Sequence, residues 1–464
     1  MNRIVIIGGG ISGLAAAHRV LELNQAAQVT IVEASGRLGG TVHTEFRDGF
    51  LLERGPDSFI SEKPQAIDLA KRLGLESQLI QTNEEYRRSF IVRDGRLRAV
   101  PEGFQLMAPS RMWPFITSDI FSLPGKMRMA ADLFLPRKST NGTTDESLAS
   151  FVRRRLGQEA LARMAQPMVG GIYTADPETL SLRATLPRFL DMEQKHRSLI
   201  LAMLRQGRAQ KTGTSGARYS LFLSFDRGMQ VLVDAVTRIR ADLRVNTRAQ
   251  RLTFDHGWKI YTDKEEQIEA DAVCLAVPAY IAASLLDDTH EQLAQKLREI
   301  KYASTATINF GYRRAAIAHP LNGFGFVVPF VEKRSLIACT FSSVKFSGRA
   351  PEGHVLLRAF AGGALQPEIF ALDESEMSRR VEADLRELLG IREDPRFIEV
   401  AKWARSMPQY EVGHLDRVSQ IEKLASELPG LSLAGNAYRG AGIPDCIRSG
   451  EAAAESVVNY FASA

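Results

Sequence analysis

The pattern of hydrophobic and polar positions is most regular in the first forty residues. Residues 3–7 form a short apolar run, and a glycine-rich stretch separates it from residues 11–24, where apolar positions recur with a helical period. A second apolar run, residues 29–32, ends at Glu33. This order predicts a strand, a tight turn, a helix and a second, parallel strand.

Later segments follow two other patterns. Residues 270–278 form a near-continuous apolar run that ends in proline, as expected for a buried parallel strand. Alternating patterns predict an antiparallel sheet, inserted between parts of the first domain, with strands at residues 305–312, 325–330, 335–341 and 354–360. A helix over 374–389 ends at Gly390, and a last strand from Leu431 enters a glycine-rich loop and a final helix. The chain is therefore predicted to have an α/β fold with α+β insertions.

Residues 101–206 are predicted to be mainly helical, and they are rich in methionine and aromatic side chains. Arg111, Lys126 and Arg128 are interleaved with these apolar residues. Helices that lie at a membrane interface have this composition. A buried helical core has it as well, so the pattern leaves both interpretations open.

Three local predictions concern the same part of the chain. Thr143 and Glu146 are spaced as a capping box before a helix that Gly157 ends. Gly170 and Gly171 interrupt the helical pattern, which predicts a loop whose backbone approaches a flat ligand. Residues 195–218, rich in lysine and arginine, are predicted to be a flexible basic linker.

Composition and charge narrow the classes of function. The chain has 464 residues with 45% hydrophobic content, enough for two or three domains. Its net charge of +5 is too weak and dispersed to indicate nucleic-acid binding. Cys274, Cys339 and Cys446 are far apart, so neither a metal site nor a disulfide framework is expected.

No apolar run is long enough for a transmembrane helix, and the first strand begins almost at Met1, which leaves no room for a signal peptide. We therefore expect a cytoplasmic protein, with any membrane contact limited to a peripheral one on the cytoplasmic face.

The glycine turn indicates a bound dinucleotide. Gly8 permits a tight turn, Gly10 lets a pyrophosphate approach the backbone, and Gly13 allows the helix to pack closely on the strand. Glu33 stands where a carboxylate would accept hydrogen bonds from a ribose, which favours FAD or NAD over NADP. No second fingerprint is found, since Gly323 and Gly325 lack a third glycine. A resident FAD, reduced by the organic substrate, is the better interpretation.

Five motifs together resemble the protoporphyrinogen oxidase family of FAD-dependent porphyrinogen oxidases. They are the turn at residues 8–13, the segment 33–40, Arg-Gly-Pro-Asp-Ser-Phe at 54–59, Met-Pro-Gln-Tyr at 407–410 with His414, and the loop 435–446 that ends in Gly-Ile-Pro-Asp-Cys. The resemblance spans essentially the whole chain. The first two motifs are shared with amine oxidases and phytoene desaturases, whereas the third and the last are more specific.

The resemblance implies a Rossmann-like, discontinuous FAD-binding domain formed by residues 1–95, 220–280 and 400–464. It implies a mixed-sheet substrate domain at 281–399, with parts of 85–100, and a helical membrane-associating insertion at 100–206. The family removes six electrons from a porphyrinogen and passes them to oxygen as hydrogen peroxide. Protoporphyrinogen IX is the expected substrate, and coproporphyrinogen III is the alternative. No general base stands out, so the catalytic residues stay unknown.

The resemblance also implies site residues. Those expected to contact FAD are Gly8, Gly9, Gly10, Ile11, Ser12, Gly13, Glu33, Ala34, Arg37, Gly39, Gly40, Gly55, Pro56, Asp57, Ser58, Ala249, Trp403, Gly442, Ile443 and Pro444. Those expected to contact the substrate are Arg88, Gly170, Gly171 and Phe341.

Two positions depart from the pattern of the family. Relatives place a propionate-binding arginine on the strand before the Asp94-Gly95 turn, but here Ser89 has that spacing and Arg88 precedes it. Thr174 and Ala175 replace glycines of many relatives, so a narrower pocket and altered binding of diphenyl-ether-type inhibitors are expected.

Two other classes of function stay open at this point. A flavin amine oxidase or carotenoid desaturase would share the first forty residues, and a non-catalytic flavin-binding scaffold would need no substrate. The expected partners are a porphyrinogen and molecular oxygen, with a membrane surface, neighbouring haem-pathway enzymes or a second copy of the chain as further candidates, and no nucleic acid.

Overall fold

A computed structural model describes residues 2–105, 107–138, 145–209 and 221–463. In chain order the strands are β1 Arg3–Ile7, β2 Gln28–Val32, β3 Thr44–Arg47, β4 Phe50–Glu53, β5 Phe59–Ile60, β6 Leu79–Gln81, β7 Phe90–Arg93, β8 Arg96–Ala99, β9 Phe104–Gln105, β10 Ala108–Pro109, β11 Phe222–Phe225, β12 Asp242–Arg244, β13 Ala249–Phe254, β14 Trp258–Thr262, β15 Gln267–Ala270, β16 Ala272–Leu275, β17 Tyr302–Arg313, β18 Gly325–Val327, β19 Ala338–Phe341, β20 His354–Gly362, β21 Phe397–Pro408 and β22 Leu431–Leu433.

The helices, in the same order, are α1 Ile11–Leu23, α2 Gln65–Arg72, α3 Met112–Thr117, α4 Leu123–Ala130, α5 Leu148–Arg155, α6 Gln158–Ala160, α7 Gln166–Tyr173, α8 Leu182–Thr185, α9 Pro187–His196, α10 Leu199–Ala209, α11 Gln230–Val236, α12 Ala279–Leu286, α13 Glu291–Arg298, α14 Ser342–Lys345, α15 Pro367–Ala371, α16 Glu374–Leu389, α17 His414–Ala425 and α18 Ile443–Ser463.

A five-stranded parallel sheet, in the order β12-β2-β1-β16-β22, holds the first of the predicted units. Ile4 and Ile6 of β1 pack on the side of α1 and α18, whereas Val5 and Ile7 pack on the side of α12, α13 and α17. Because both faces of β1 are covered, its sequence is a continuous apolar run. The predicted parallel strand at 270–278 is confirmed as β16.

A seven-stranded mixed sheet, in the order β21-β17-β20-β19-β18-β7-β8, is the second unit. Only β18 and β7 pair in parallel among these strands. One face is covered by α16, whose first turn is capped by the Asp373 carboxylate and whose end is Gly390, with φ at 63°. That helix has the bounds predicted for it. The hairpin at Asp94-Gly95 is also confirmed, with both residues at positive φ.

The predicted strand boundaries in this sheet need correction. The segments at 325–330 and 335–341 are shorter as strands, since β18 ends before Pro329 and β19 begins only at Ala338. A domain boundary at residue 400 would cut through β21, which pairs with β17 along the edge of the mixed sheet.

The helical part of the chain has its own apolar core. Two predictions made for this part from the sequence were wrong. Residues 195–209 are not a linker, because α9 and α10 cover most of them; residues 210–218 lie outside the described part. Gly170 and Gly171 lie inside α7 instead of a loop. The chain forms a π-helical turn at Leu161–Ala165 just before Pro167, which cannot donate a backbone hydrogen bond.

The predicted capping box includes Thr143, which lies outside the described residues. Ser147 caps α5 instead, since its hydroxyl accepts a hydrogen bond from the Ser150 backbone N–H. Gly157, with φ at 95°, follows the end of that helix as predicted.

The apolar residues at 107–134 divide into a buried group and an exposed group. Met107, Phe115, Ile120, Phe121 and Met129 are buried in the helical core. A second group is exposed, by 52% to 81%, and we call it the apolar patch: Trp113, Ile116, Leu123, Met127 and Phe134. In the described part of the chain, no helix combines the length and the hydropathy that crossing a bilayer requires.

Candidate functional site

The glycine turn leaves an open groove at the start of α1. Gly8 has φ at 107°, and a Cβ on Gly13 would lie 2.0 Å from the Gly8 carbonyl oxygen. A Cβ on Gly10, in contrast, would meet only the Cα of Gly40, at 3.9 Å. A side chain at Gly10 would therefore stand in the gap between the two glycines. This gap lies at a helix N-terminus, where backbone N–H groups favour a phosphate.

One end of the groove is formed around Glu33. Its carboxylate accepts hydrogen bonds from the backbone N–H groups of Gly9, at 2.7 Å, and Ser35, at 2.8 Å. Its carbonyl oxygen accepts a hydrogen bond from the Thr247 N–H, which places Ala249, two residues later, near this end. The strand that begins at Ala249 therefore starts two residues after a direct contact with Glu33.

Arg37 supports the neighbouring turn. Its guanidinium donates hydrogen bonds to the carbonyl oxygens of Leu38 and Val42, both at 3.1 Å, and of Gly40. Burial lowers the pKa of Arg37. The structure therefore places Arg37 behind the Gly39-Gly40 backbone, where it holds this turn against Gly10.

A second helix N-terminus lies beside the first. Helix α18 runs parallel to α1, because Ser12 contacts Gly450 near the start and Arg19 pairs with Glu455 farther on, at 2.8 Å. A Cβ on Gly442 would meet only atoms of Pro444 and Asp445, at 3.6 Å or more. The Gly442-Ile443-Pro444 segment thus opens α18 at the same edge of the sheet as the glycine turn.

Tyr410 and His414 hold the loop that leads into α18. The Tyr410 hydroxyl donates to the Asn436 carbonyl oxygen, at 2.5 Å, and accepts from the Gly440 N–H, at 2.8 Å. The His414 ring stacks on Tyr410 with a centroid distance of 4.1 Å, and its Nε2 lies 2.8 Å from the Tyr438 carbonyl oxygen. Burial lowers the pKa of His414 to about 4, so the ring is neutral at physiological pH.

Side chains of the mixed sheet hold the turn at residues 55–58 through hydrogen bonds. The Arg54 carbonyl oxygen accepts hydrogen bonds from the Thr307 hydroxyl, at 2.6 Å, and the Trp403 indole, at 2.9 Å. Arg358 donates to the Gly55 carbonyl oxygen, and a Cβ on Gly55 would clash with the Thr41 carbonyl at 1.6 Å. Since Thr41 follows Gly40, the turn continues the groove beyond Gly10.

Two buried carboxyl groups flank this turn. Burial alone would raise the pKa of Asp57, but Lys345, at 3.1 Å, and Arg358, at 3.7 Å, keep that pKa well below its usual value. Burial raises the pKa of Glu53 to about 7, although its carboxylate accepts hydrogen bonds from the Met229 N–H and the Thr44 hydroxyl.

The structure separates the four predicted substrate residues. Gly171, on α7, faces the half-buried Val327 of β18, and a Cβ there would lie 3.8 Å away. Gly170 is next to it, and its Cβ would meet the Gln166 side chain at 3.3 Å. Arg88 is exposed ahead of β7.

Phe341 is fully buried against Phe326 in the core under α16. Alternation along β19 and β20 puts it on the face opposite Arg358, so its position does not support a substrate contact. Ala175 is buried in the helical core, and Thr174 lies so close to Gly363 that a Cβ on Gly363 would be 3.1 Å from the Thr174 Cβ. The side chains of Thr174 and Ala175, which are larger than glycine, are therefore accommodated by packing between α7 and the mixed sheet.

Several residues of the site were missed by sequence reasoning. Thr307 and Asn309 alternate with apolar residues along β17, and Arg358 is a charged residue inside the apolar strand β20. Asn309 donates a hydrogen bond to the Glu53 carbonyl oxygen at 3.2 Å. Polar residues within a buried strand were the available signal, but their partners, some 250 residues away, were not.

The groove fits a dinucleotide with a flat redox ring. It combines the Glu33 carboxylate, an open backbone gap at Gly10 and a Gly55 turn whose carbonyl oxygen accepts a hydrogen bond from Arg358. A profile of the family described as flavin containing amine oxidoreductase matches residues 11–458. The chain belongs to this family, and its cofactor is FAD.

The relatives within this family are more specific. The chain is 36% identical to the coproporphyrinogen III oxidase of Bacillus subtilis (strain 168), over 100% of this chain and 99% of the relative. It is 30% identical to the chloroplastic protoporphyrinogen oxidase of Nicotiana tabacum, over 98% and 85%.

Solved structures show the same fold. A crystal structure from Exiguobacterium sp. 255-15, provisionally named a protoporphyrinogen oxidase, has a TM-score of 0.88 and 31% identity over 98% of both chains. Putrescine oxidase, at 18% identity over 99% of both chains, shares the fold with a TM-score of 0.71.

Proposed function

We propose that this protein oxidises a porphyrinogen to the porphyrin in haem biosynthesis, with FAD as its resident cofactor and oxygen as the acceptor. The observation that carries the proposal is the glycine turn at residues 8–13 together with the Gly55 turn that Arg358 holds, in a chain whose full-length relatives bear the names of porphyrinogen oxidases. Removal of six electrons from one porphyrinogen would reduce three molecules of oxygen to hydrogen peroxide.

The residues of the chain have distinct roles in this proposal. Glu33 and Ala249 hold the adenosine end, the backbone of residues 8–13 holds the phosphates, and the Gly55–Ser58 turn with Trp403 and residues 442–444 surrounds the flavin. The bound flavin supplies the electron acceptor for the substrate. The protein mainly orients the macrocycle and excludes water, which accounts for the lack of an obvious general base.

The substrate would lie between α7 and the mixed sheet. Gly170 is half-buried and Gly171 is exposed on α7, and half-buried Val327 and Phe360 are on the sheet side. Arg88 and other cations at the entrance are candidates for the propionate groups.

Coproporphyrinogen III is the substrate to test first, because relatives at 36% identity carry that name whereas the plant protoporphyrinogen oxidases are at 28% to 30%. Both porphyrinogens should be supplied to the purified holoprotein while porphyrin fluorescence and hydrogen peroxide are followed. A porphyrin yield from either, with peroxide in threefold molar amount, supports the proposal. Failure of both to bleach the flavin without oxygen, together with oxidation of an amine or a carotene, would contradict it.

We also propose that the helical insertion touches a membrane surface through the apolar patch. Leu123, Met127 and Phe134 are spaced to lie on one stripe of α4 and its extension. Lys126 donates to the Ile116 carbonyl oxygen, which brings α3, with Trp113, beside this stripe. A contiguous exposed apolar surface of this kind is typical of an interaction site.

The division into three domains and the location on the cytoplasmic face are proposals of the same kind. The division into domains is supported by separate apolar cores for the parallel sheet, the helical insertion and the mixed sheet.

A further inference from the structure

Five ionisable side chains surround the Gly55 turn, and we call them the turn cluster: Glu53, Asp57, Lys345, Arg349 and Arg358. All five are buried or nearly so. They come from β4, α14, β20 and two loops, so the fold brings together charges that are up to about 300 residues apart in the chain. Buried charges are costly unless they are matched, which makes their balance informative.

Side chains of the cluster make hydrogen bonds to several atoms of the turn. The Lys345 ammonium donates to both Asp57 carboxylate oxygens, at 3.1 and 3.2 Å, and to the Ser58 hydroxyl, at 3.0 Å. Arg358 donates to the Gly55 carbonyl oxygen. Arg349 donates to the Ser224 hydroxyl, at 3.0 Å, and that hydroxyl donates to the Asp57 carbonyl oxygen.

The cluster holds more positive than negative charge. It has three cations and two carboxyl groups, and burial raises the pKa of Glu53 to about 7, so at neutral pH this carboxyl is partly protonated. Asp226, which also attracts Arg349, is exposed and therefore screened by solvent. The net charge of the turn cluster is therefore at least +1.

One donor of the cluster is left without a partner. Within the described residues, Nε of Arg358 is buried and makes no hydrogen bond, although the guanidinium lies 4.7 Å from the Phe360 ring. An unpaired donor and an unmatched charge at the same place both point to an electron-rich group in the groove above the turn. The proposed function assigns this turn, with Trp403 and residues 442–444, to the flavin end of the dinucleotide site.

We propose that Lys345 and Arg358 are positioning residues which, through Asp57 and the Gly55 carbonyl, hold the turn against the flavin and raise its reduction potential by their excess positive charge. Reduction adds electron density to the ring, so a buried positive charge nearby favours the reduced form. The proposal rests on the flavin site of the proposed function but is independent of the substrate.

The test is the midpoint potential of the bound flavin, measured by titration with xanthine and xanthine oxidase against a reference dye. Lys345→Met, which keeps the length of the side chain, should make two-electron reduction about tenfold less favourable, a fall of about 30 mV. Asp57→Asn should raise the potential, because it removes a negative charge at the same place. Lys345→Arg should restore the wild-type value.

Lys402→Met is the matched control. Lys402 is on β21 of the mixed sheet, where its ammonium donates to the Leu372 carbonyl oxygen, but it is not part of the cluster, so its loss should leave the potential unchanged. A merely structural role of the cluster would shift Lys345→Met and Asp57→Asn in the same direction, or would weaken FAD binding with no change in potential. Either result overturns the proposal.

Two further outcomes also distinguish the alternatives. Should Lys345→Met not fold, Asp57→Asn alone decides, since an unchanged or lower potential contradicts the proposal. A protein that shows the expected potentials but oxidises no porphyrinogen would refute the proposed substrate and leave the turn cluster supported.

Discussion

Glu53 carries a carboxyl group whose environment couples stability to pH. Its pKa is raised by burial from 4.5 to about 7, so between these values the folded chain holds a proton that the unfolded chain has lost. Stability from this group is therefore complete below about pH 4.5 and is lost as the pH rises through about 7. The full loss corresponds to about 3 kcal/mol.

Glu53→Gln should remove this dependence. Relative to the wild type, the free energy of unfolding of the variant should increase by about 2 kcal/mol between about pH 5 and about pH 8. Denaturant unfolding of both proteins, with FAD in excess, measures the difference. Glu84→Gln, at an exposed site, is the control and should show no change; a pH-independent difference for Glu53→Gln would mean that its pKa is not raised.

Gly55 is a position where a single methyl group should be destructive. A Cβ there would lie 1.6 Å from the Thr41 carbonyl oxygen, so Gly55→Ala must displace either the turn or the segment after Gly40. We expect a loss of at least about 3 kcal/mol in stability together with loss of FAD. Thermal unfolding and the flavin absorbance of the purified protein report both effects.

Gly257→Ala is the matched variant for this comparison. Its Cβ would approach no atom closer than the Ala270 carbonyl oxygen, at 3.6 Å, and Gly257 does not have a positive φ. This substitution should lower the free energy of unfolding by less than about 1 kcal/mol, and the variant should retain FAD. Equal effects of the two variants would show that close packing at Gly55 is unimportant.

At the scale of elements, the start of α18 depends on a clamp that belongs to another part of the chain. Tyr410, at the end of β21, makes two hydrogen bonds to the loop at 436–440, and His414 stacks on its ring. The clamp holds the Gly442 backbone in place before any ligand binds, which lowers the entropic cost of FAD binding.

Tyr410→Phe should therefore weaken FAD binding about tenfold, as expected for the loss of roughly one net hydrogen bond at a buried site. Titration of apoprotein with FAD, followed by flavin fluorescence, gives the dissociation constant. Tyr280→Phe serves for comparison, because that hydroxyl makes only a 3.5 Å contact with the Arg405 carbonyl oxygen. An unchanged dissociation constant for Tyr410→Phe would rule out the clamp.

For the whole molecule, the membrane contact that we propose depends on the apolar patch. Trp113→Ser combined with Phe134→Ser should reduce the fraction that sediments with vesicles containing phosphatidylglycerol by tenfold or more, since each large side chain contributes about 1.5–3 kcal/mol when buried. The enzyme activity with soluble porphyrinogen should persist.

Phe46→Ser is the control for this experiment. Phe46 is 64% exposed, but it lies on the β3–β4 hairpin and outside the patch. Its loss should not alter sedimentation. If the wild type does not bind vesicles of any composition, the membrane proposal fails, and the patch would then need a protein partner or a second copy of the chain.

Much of the parallel sheet and of α16 could be predicted because their signals are local. The apolar run of β1, Gly8 with its positive φ, and the Asp373 cap and Gly390 end of α16 each reflect contacts within a few residues. The pairing of β18 with β7, across more than 200 residues, has no such signal.

Errors arose where tertiary contacts overrode local patterns. Gly170 and Gly171 are poor helix formers, yet α7 continues through them because its other residues pack in the helical core and against the mixed sheet. The substrate contact predicted for Phe341 stays a prediction, but the register of β19 with β20 places this side chain in the core under α16.

The sequence by itself determined that the protein binds a dinucleotide at the start of α1, since the glycines and Glu33 act through backbone geometry that is set within some thirty residues. It also determined the family through motifs spread along the chain. Only the tertiary structure decided which charges meet at the Gly55 turn. Lys345 and Arg358 look like ordinary surface and strand residues until the mixed sheet folds against the turn, because burial and ion pairing are properties of contacts that no local pattern records.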